Sequence, residues 1–129
     1  MMEELNRISE AIIGSAIAVH RELGPGLLES AYESCLEFEL LSRGLRVERQ
    51  IALPVIYREV RVECGFRIDL RVNEKVIVEL KSVDRFDKIH EAQVHTYLRL
   101  TNLHLGLLIN FNVLKLVDGV KRIVHGYVD

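Results

Sequence analysis

The stretch that most limits what this chain can fold into runs from Gly65 to Lys81. It reads as two strand-forming arms around Asn73-Glu74-Lys75. Side chains alternate faces along a strand, which puts Arg67, Asp69 and Arg71 on one side of the first arm and Ile77, Glu79 and Lys81 on one side of the second. If the loop holds three residues and Val72 faces Val76, Asp69 falls opposite Glu79 and Arg67 opposite Lys81. Directly opposed Cβ atoms lie roughly 4.5–5.5 Å apart. Two carboxylates that close disfavour double ionisation and weaken a hairpin, so a divalent metal or a neighbouring cation is the expected compensation.

The elements around the hairpin follow from periodicity. Leu5, Ile8, Ile12, Ala16, Val19 and Leu23 recur at spacings of three and four, which predicts an amphipathic helix over Leu5–Leu23. Gly24-Pro25-Gly26 stops it, and a second helix is expected from Leu27 to Arg43, capped at Gly44. A β-rich run follows from Arg46 to Tyr57, with Pro54 marking an edge or a bulge. After the hairpin, helical spacing returns over Lys88–Leu100, with Ile89, Ala92, Thr96 and Leu100 on the side expected to face the sheet. Leu103–Phe111 is apolar and of strand length, as for a strand covered on both faces, and Lys121–Val128 offers a last strand after Asp118-Gly119. The order predicts a single α/β domain over residues 1–129, with helices on a central mixed sheet.

Bulk properties narrow the function classes. The chain has 129 residues, 49% apolar and 28% charged, the balance of a soluble globular domain. A formal net charge of −2 gives no global attraction to nucleic acid, so such a partner has to be held by a local patch or by metal. Cys35 and Cys64 are expected in apolar surroundings and make no metal-ligand spacing. With no signal peptide and no membrane-spanning apolar run, the expectation is a cytoplasmic protein without membrane attachment. His20, His95, His104 and His125 show no paired spacing for zinc. There is no Gly-rich phosphate loop, no nucleophile elbow and no Cys/His nucleophile signature.

The chemistry therefore concentrates on a few side chains. Asp69 and Glu79 are hard oxygen ligands suited to Mg²⁺ or Mn²⁺, and Lys81 puts an ammonium two residues beyond the second acid. A cation so held lowers the pKa of a bound water and stabilises charge on a phosphoryl oxygen, and the lysine can orient that water. The competing reading is a solvated face of an edge hairpin, against which the apolar Val76, Ile77, Val78 and Leu80 argue. Glu29 and Glu33 stand four apart, beside Leu36 and Leu40 on the second helix, where an acid needs a partner. Gln93 and Tyr97 stand four apart on the third helix, with His90 one turn away. Arg67, Arg71, Lys75, Arg85 and Lys88 gather nearby, as phosphate contacts or as a mixed-charge surface with Glu74, Asp84 and Asp87.

Asp69, Glu79-Leu80-Lys81 and the later Gln93 and Tyr97 resemble the PD-(D/E)xK nuclease superfamily, especially its RecB-like branch, and Gly65 fits that branch's glycine. Nearly the whole chain is similar to the small GxxExxR proteins, through Leu23 to Glu29 and Gly106 to Phe111. Tyr32 stands where that pattern has its arginine. The resemblance implies a restriction-endonuclease-like αβββαβ core with an extra N-terminal helix and a C-terminal strand. It implies Mg²⁺- or Mn²⁺-dependent cleavage of nucleic acid, with DNA as the expected substrate. Asp69, Glu79 and the Leu80 carbonyl would hold the metal, completed by Glu33 or, second, Glu29. Lys81 would position the attacking water, and Gln93 with Tyr97 would order the site or the substrate. The alternative is an inactive binding or assembly module of the same fold. Val94 and Leu98, placed on the outer side of the third helix, suggest a homodimer surface.

Overall fold

A computed structural model of the chain describes residues 1–63 and 65–126. Cys64 and positions 127–129, which include the end of the expected last strand, lie outside the described residues.

Helix α1 (Met2–Leu23) buries Leu5, Ile8, Ile12, Ala16 and Val19, the stripe its periodicity predicts. It ends at Gly24, whose φ of 69° is a left-handed torsion that glycine adopts without steric cost. Helix α2 (Glu29–Ser42) buries Tyr32, Glu33, Leu36 and Leu40. The Tyr32 ring stacks on Phe111 at 4.4 Å between centroids. Its hydroxyl donates to the Gly24 carbonyl at 2.6 Å and accepts the Leu27 N–H at 3.1 Å, so the turn between the helices is fastened from inside.

There follow β1 (Val47–Ala52), β2 (Val55–Tyr57), β3 (Val60–Val62), β4 (Arg67–Val72), β5 (Val76–Lys81), α3 (Lys88–Thr101), β6 (Leu105–Asn110) and β7 (Val120–Val124). Among the described residues five strands form one sheet in the order β1-β4-β5-β6-β7. Only β5 and β6 pair in parallel, as the α3 crossover between them requires; the other pairs are antiparallel. Helices α1 and α2 cover one face of the sheet through Leu70, Val72, Val78 and Leu107. Helix α3 covers the other through Ile68, Ile77, Leu108 and Ile123. This is the expected restriction-endonuclease-like architecture: α2, β1, β4, β5, α3 and β6 make the core, with α1 and β7 added.

Three expectations need correction. The run Arg46–Tyr57 is not one strand. Chain pairing with the large sheet ends at Ala52, and after Pro54 the strands β2 and β3 form a separate two-stranded ribbon. Its turn, Arg58-Glu59, has φ of 48° and 69°, a geometry that Asn-Gly or Asp-Gly usually signals and that these two residues do not. The face assigned to α3 is also rotated. Val94 and Leu98 are fully buried against the sheet, whereas Ile89 is 66% exposed and Leu100 39%. The reason lies in β6: a Cβ at Gly106 would stand 2.6 Å from Val94 Cγ1, so the missing side chain makes the notch that seats Val94. Val94 and Leu98 therefore offer no dimer surface. Cys35, third, lies on the exposed side of α2.

Candidate metal and phosphodiester site

The β4–β5 ladder pairs Val72 with Val76, Arg71 with Ile77 and Leu70 with Val78, the register expected from the three-residue loop. It stops one rung before the two acids, and side chains take over the backbone's bonding. The Leu80 N–H donates to Asp69 Oδ2 at 2.8 Å, and the Asp69 N–H donates to Glu79 Oε1 at 3.0 Å. Each carboxylate thus stands in for a strand carbonyl. The strands part here, and the Arg67–Lys81 rung does not form.

The same place interrupts the alternation of faces, so Arg67, Asp69 and Arg71 do not share one regular side. Leu70 and Val72 pack beneath α1 and α2, but Ile68 packs beneath α3. On β1, Val47 packs with the α1–α2 core and Ile51 with the α3 core. Strict period-two geometry would keep each set on one face. The flanking rungs Arg49–Leu70 and Ile51–Ile68 put Gln50 opposite Asp69, so both interruptions fall on one rung. Gln50 has a φ of 52°, well outside the strand region.

That shift turns the rung toward α2. Glu33, only 6% exposed, accepts Arg49 Nε at 2.8 Å on Oε2 and Gln50 Nε2 at 2.7 Å on Oε1. Gln50 Nε2 also stands 3.4 Å from Asp69 Oδ1, so the amide joins the helix acid to the strand acid. Glu33, Asp69 and Glu79 are therefore linked in sequence from α2 across β4 to β5. Glu29 is exposed and stands apart from this chain of contacts; its Oε2 accepts the Ser82 N–H at 3.2 Å, while Ser82 Oγ donates to the Leu27 carbonyl at 2.9 Å.

The electrostatics reflect crowded acids. Burial first, then the Asp69 charge, push the Glu79 carboxyl up to about 9. Burial also raises Asp69, with the Glu33 charge adding to it, and the bond from the Leu80 N–H opposes the rise. Both carboxyls are thus pushed up by burial and by a neighbouring acid, Glu79 most strongly. The Lys81 charge favours the ionised form of both acids. Lys81 itself is set by its backbone: its carbonyl accepts the Phe111 N–H at 3.0 Å. Beyond it the buried Asn110 side chain clamps Val83, accepting its N–H at 3.1 Å and donating to its carbonyl at 2.8 Å.

Among the described residues no three His, Cys, Asp or Glu side chains are already gathered as a metal cage. The acids are turned onto N–H donors instead. The donor set nevertheless fits a hard divalent cation. Buried Glu79, half-buried Asp69 and the linked Glu33 provide oxygen ligands, and a cation there would relieve the repulsion that ionisation of all three would create.

The remaining expected residues lie elsewhere. Gln93 and Tyr97 line an apolar groove whose other wall is Leu53, Val55 and Phe66, and no hydrogen bond joins Gln93 to the acids. His90 caps α3, its Nδ1 accepting the Asp87 N–H at 3.0 Å. Arg71 is held bidentately by Glu48 at 2.8 and 2.7 Å, and Lys75 by Glu4 at 2.6 Å, so both serve the scaffold. Arg67 donates to the Gln50 carbonyl at 3.3 Å. Residue reading missed Arg49, Gln50 and Asn110. Only Arg49 and Gln50 carried a signal, as a polar pair inside a β-rich run.

The family model described as the PD-(D/E)XK nuclease superfamily matches residues 6–123. No curated protein and no solved structure matches the chain. The family match spans both helical layers and every acid in the linked set, and the chain belongs to the PD-(D/E)XK nuclease superfamily, a nuclease-type domain whose relatives generally use divalent metal ions on nucleic acid.

Proposed function

We propose that this protein is a divalent-metal-dependent nuclease of the RecB-like, GxxExxR kind that hydrolyses phosphodiester bonds in DNA. The observation that carries the reading is the Asp69–Glu79 pair at the parted end of β4 and β5, with Lys81 acting on both charges. Asp69 and Glu79 would hold Mg²⁺ or Mn²⁺ with the Leu80 carbonyl, and Glu33 is the third acid in line. Glu29, tied to Ser82, is the reserve ligand. A divalent ion bound there supplies Lewis-acid stabilisation and a more acidic water. Lys81, on the next same-side position after Glu79, is assigned to orient that water. Gln93 and Tyr97 are assigned to the substrate side, along the groove between α3 and Phe66.

Cleavage assays on single-stranded, duplex and branched DNA and on RNA, with Mg²⁺ or Mn²⁺, test this directly. Lys81→Ala is expected to lower the rate by about 10²-fold or more, the usual worth of a positioned proton-transfer group. Equal activity in wild type and Lys81→Ala would overturn the assignment. The second reading, an inactive binding or assembly module, is favoured by one observation: Glu33 is already occupied by Arg49 and Gln50. Under that reading no divalent ion binds the folded protein.

A further inference from the structure

Gln50 is the one residue of the site whose backbone departs from its element. A left-handed φ in a non-glycine residue costs on the order of 1 kcal/mol or more and persists only when its surroundings impose it. Here the surroundings are visible. Arg49 and Gln50 are consecutive, yet both side chains reach the Glu33 carboxylate, one on each oxygen, at 2.8 and 2.7 Å. Consecutive residues of a regular strand point to opposite faces. The left-handed turn at Gln50 is what lets both converge, and the Arg67 guanidinium donates to the Gln50 carbonyl at 3.3 Å.

The strain places one nitrogen, Gln50 Nε2, between two acid oxygens, Glu33 Oε1 at 2.7 Å and Asp69 Oδ1 at 3.4 Å. An amide N–H₂ group has two donors and carries partial positive charge, so it can serve two acceptors at once. We propose that Gln50 is a positioning residue that keeps the cation's place: its amide bridges Glu33 and Asp69 and would be displaced when those acids hold a divalent ion. The inference rests on the metal-dependent reading of the same site. It differs from that reading in predicting that the amide and the ion compete.

Competition gives a direction that simple structural support does not. Removing a residue that shapes a metal site weakens binding, whereas removing a competitor strengthens it. Mn²⁺ affinity, measured by calorimetry or by the electron paramagnetic resonance of the free ion, is compared in wild type, Gln50→Gly and Gln50→Ala. Both variants are expected to bind Mn²⁺ roughly three- to tenfold more tightly, the worth of the hydrogen bonds that the ion no longer has to displace. Glycine accepts the left-handed torsion, so Gln50→Gly keeps the comparison available if the alanine variant fails to fold. Unchanged or weaker binding in the folded variants, with normal binding in wild type, overturns the placeholder role alone. Absence of Mn²⁺ binding in wild type overturns it together with the metal-dependent reading.

Discussion

At the scale of single residues, the site is defined by a proton as much as by its acids. Glu79 titrates in the folded chain near 9 against an ordinary 4.5, chiefly through burial and then through the Asp69 charge. Between those values the folded state binds more protons than the unfolded one, so its stability falls as pH rises. Asp69, raised as well, adds the same sign. The metal-free protein is therefore expected to lose thermal stability from about pH 5 towards pH 9. Glu79→Gln, which keeps the acceptor for the Asp69 N–H and cannot ionise, should flatten that slope and raise metal-free stability at pH 8 by on the order of 1 kcal/mol. Melting curves across pH, with chelator present, decide it; a parallel slope in the variant would show that Glu79 is not the titrating group. The meeting of Asp69 with Glu79 was legible from alternation and loop length, whereas the roles assigned to them and to Lys81 came from the resemblance. Gln50 was not, because a strained torsion is imposed by long-range contacts and leaves no pattern in the sequence.

At the scale of elements, the reading succeeded where apolar periodicity is strict and failed where the missing information belongs to a partner element. The α1 stripe and the fully buried β6 followed from their own residues. The orientation of α3 did not, since it depends on a glycine in β6. Gly106→Ala tests that dependence: its Cβ would meet Val94 Cγ1 at 2.6 Å, inside any real contact distance. A small-to-large change in a packed interface costs about 1–3 kcal/mol. Chemical denaturation should show that loss, and the double variant with Val94→Ala should recover part of it. Additive losses in the double variant would mean that the helix is seated by other contacts. The β2–β3 ribbon escaped notice for a local reason, a two-residue turn built from arginine and glutamate rather than glycine or asparagine.

For the whole molecule, the parted end of the β4–β5 ladder holds acids that folding has already brought together, and a ligand that favours their ionised form couples to global stability. A ligand bound only by the folded state adds about 2.7 kcal/mol at a hundredfold excess over its dissociation constant. Thermal-shift titration with Mg²⁺ and Mn²⁺ should therefore raise the midpoint, and Asp69→Asn should abolish the rise. An equal shift in Asp69→Asn would place the ion elsewhere, and no shift in wild type would favour the binding-module reading. The element order and a mixed sheet carrying helices were within reach of sequence reasoning because the apolar patterns mark each element. The pairing of Glu33 with Arg49 and Gln50 was not, because it spans separate elements.

The hydrogen bonds among the acids and their neighbours all close modest loops: Glu33 to Gln50 spans 17 positions, Gln50 to Asp69 spans 19, and Asp69 to Leu80 spans 11. Every acid of the set thus comes from the first two thirds of the chain, upstream of α3. Helix α3 contributes one wall of the apolar groove, opposite Leu53, Val55 and Phe66, and no carboxylate of the linked set. The linked acids and the helix that lines the groove are thereby encoded in consecutive segments of one chain. Variation in α3 can reshape that groove without touching the segment that carries the acids.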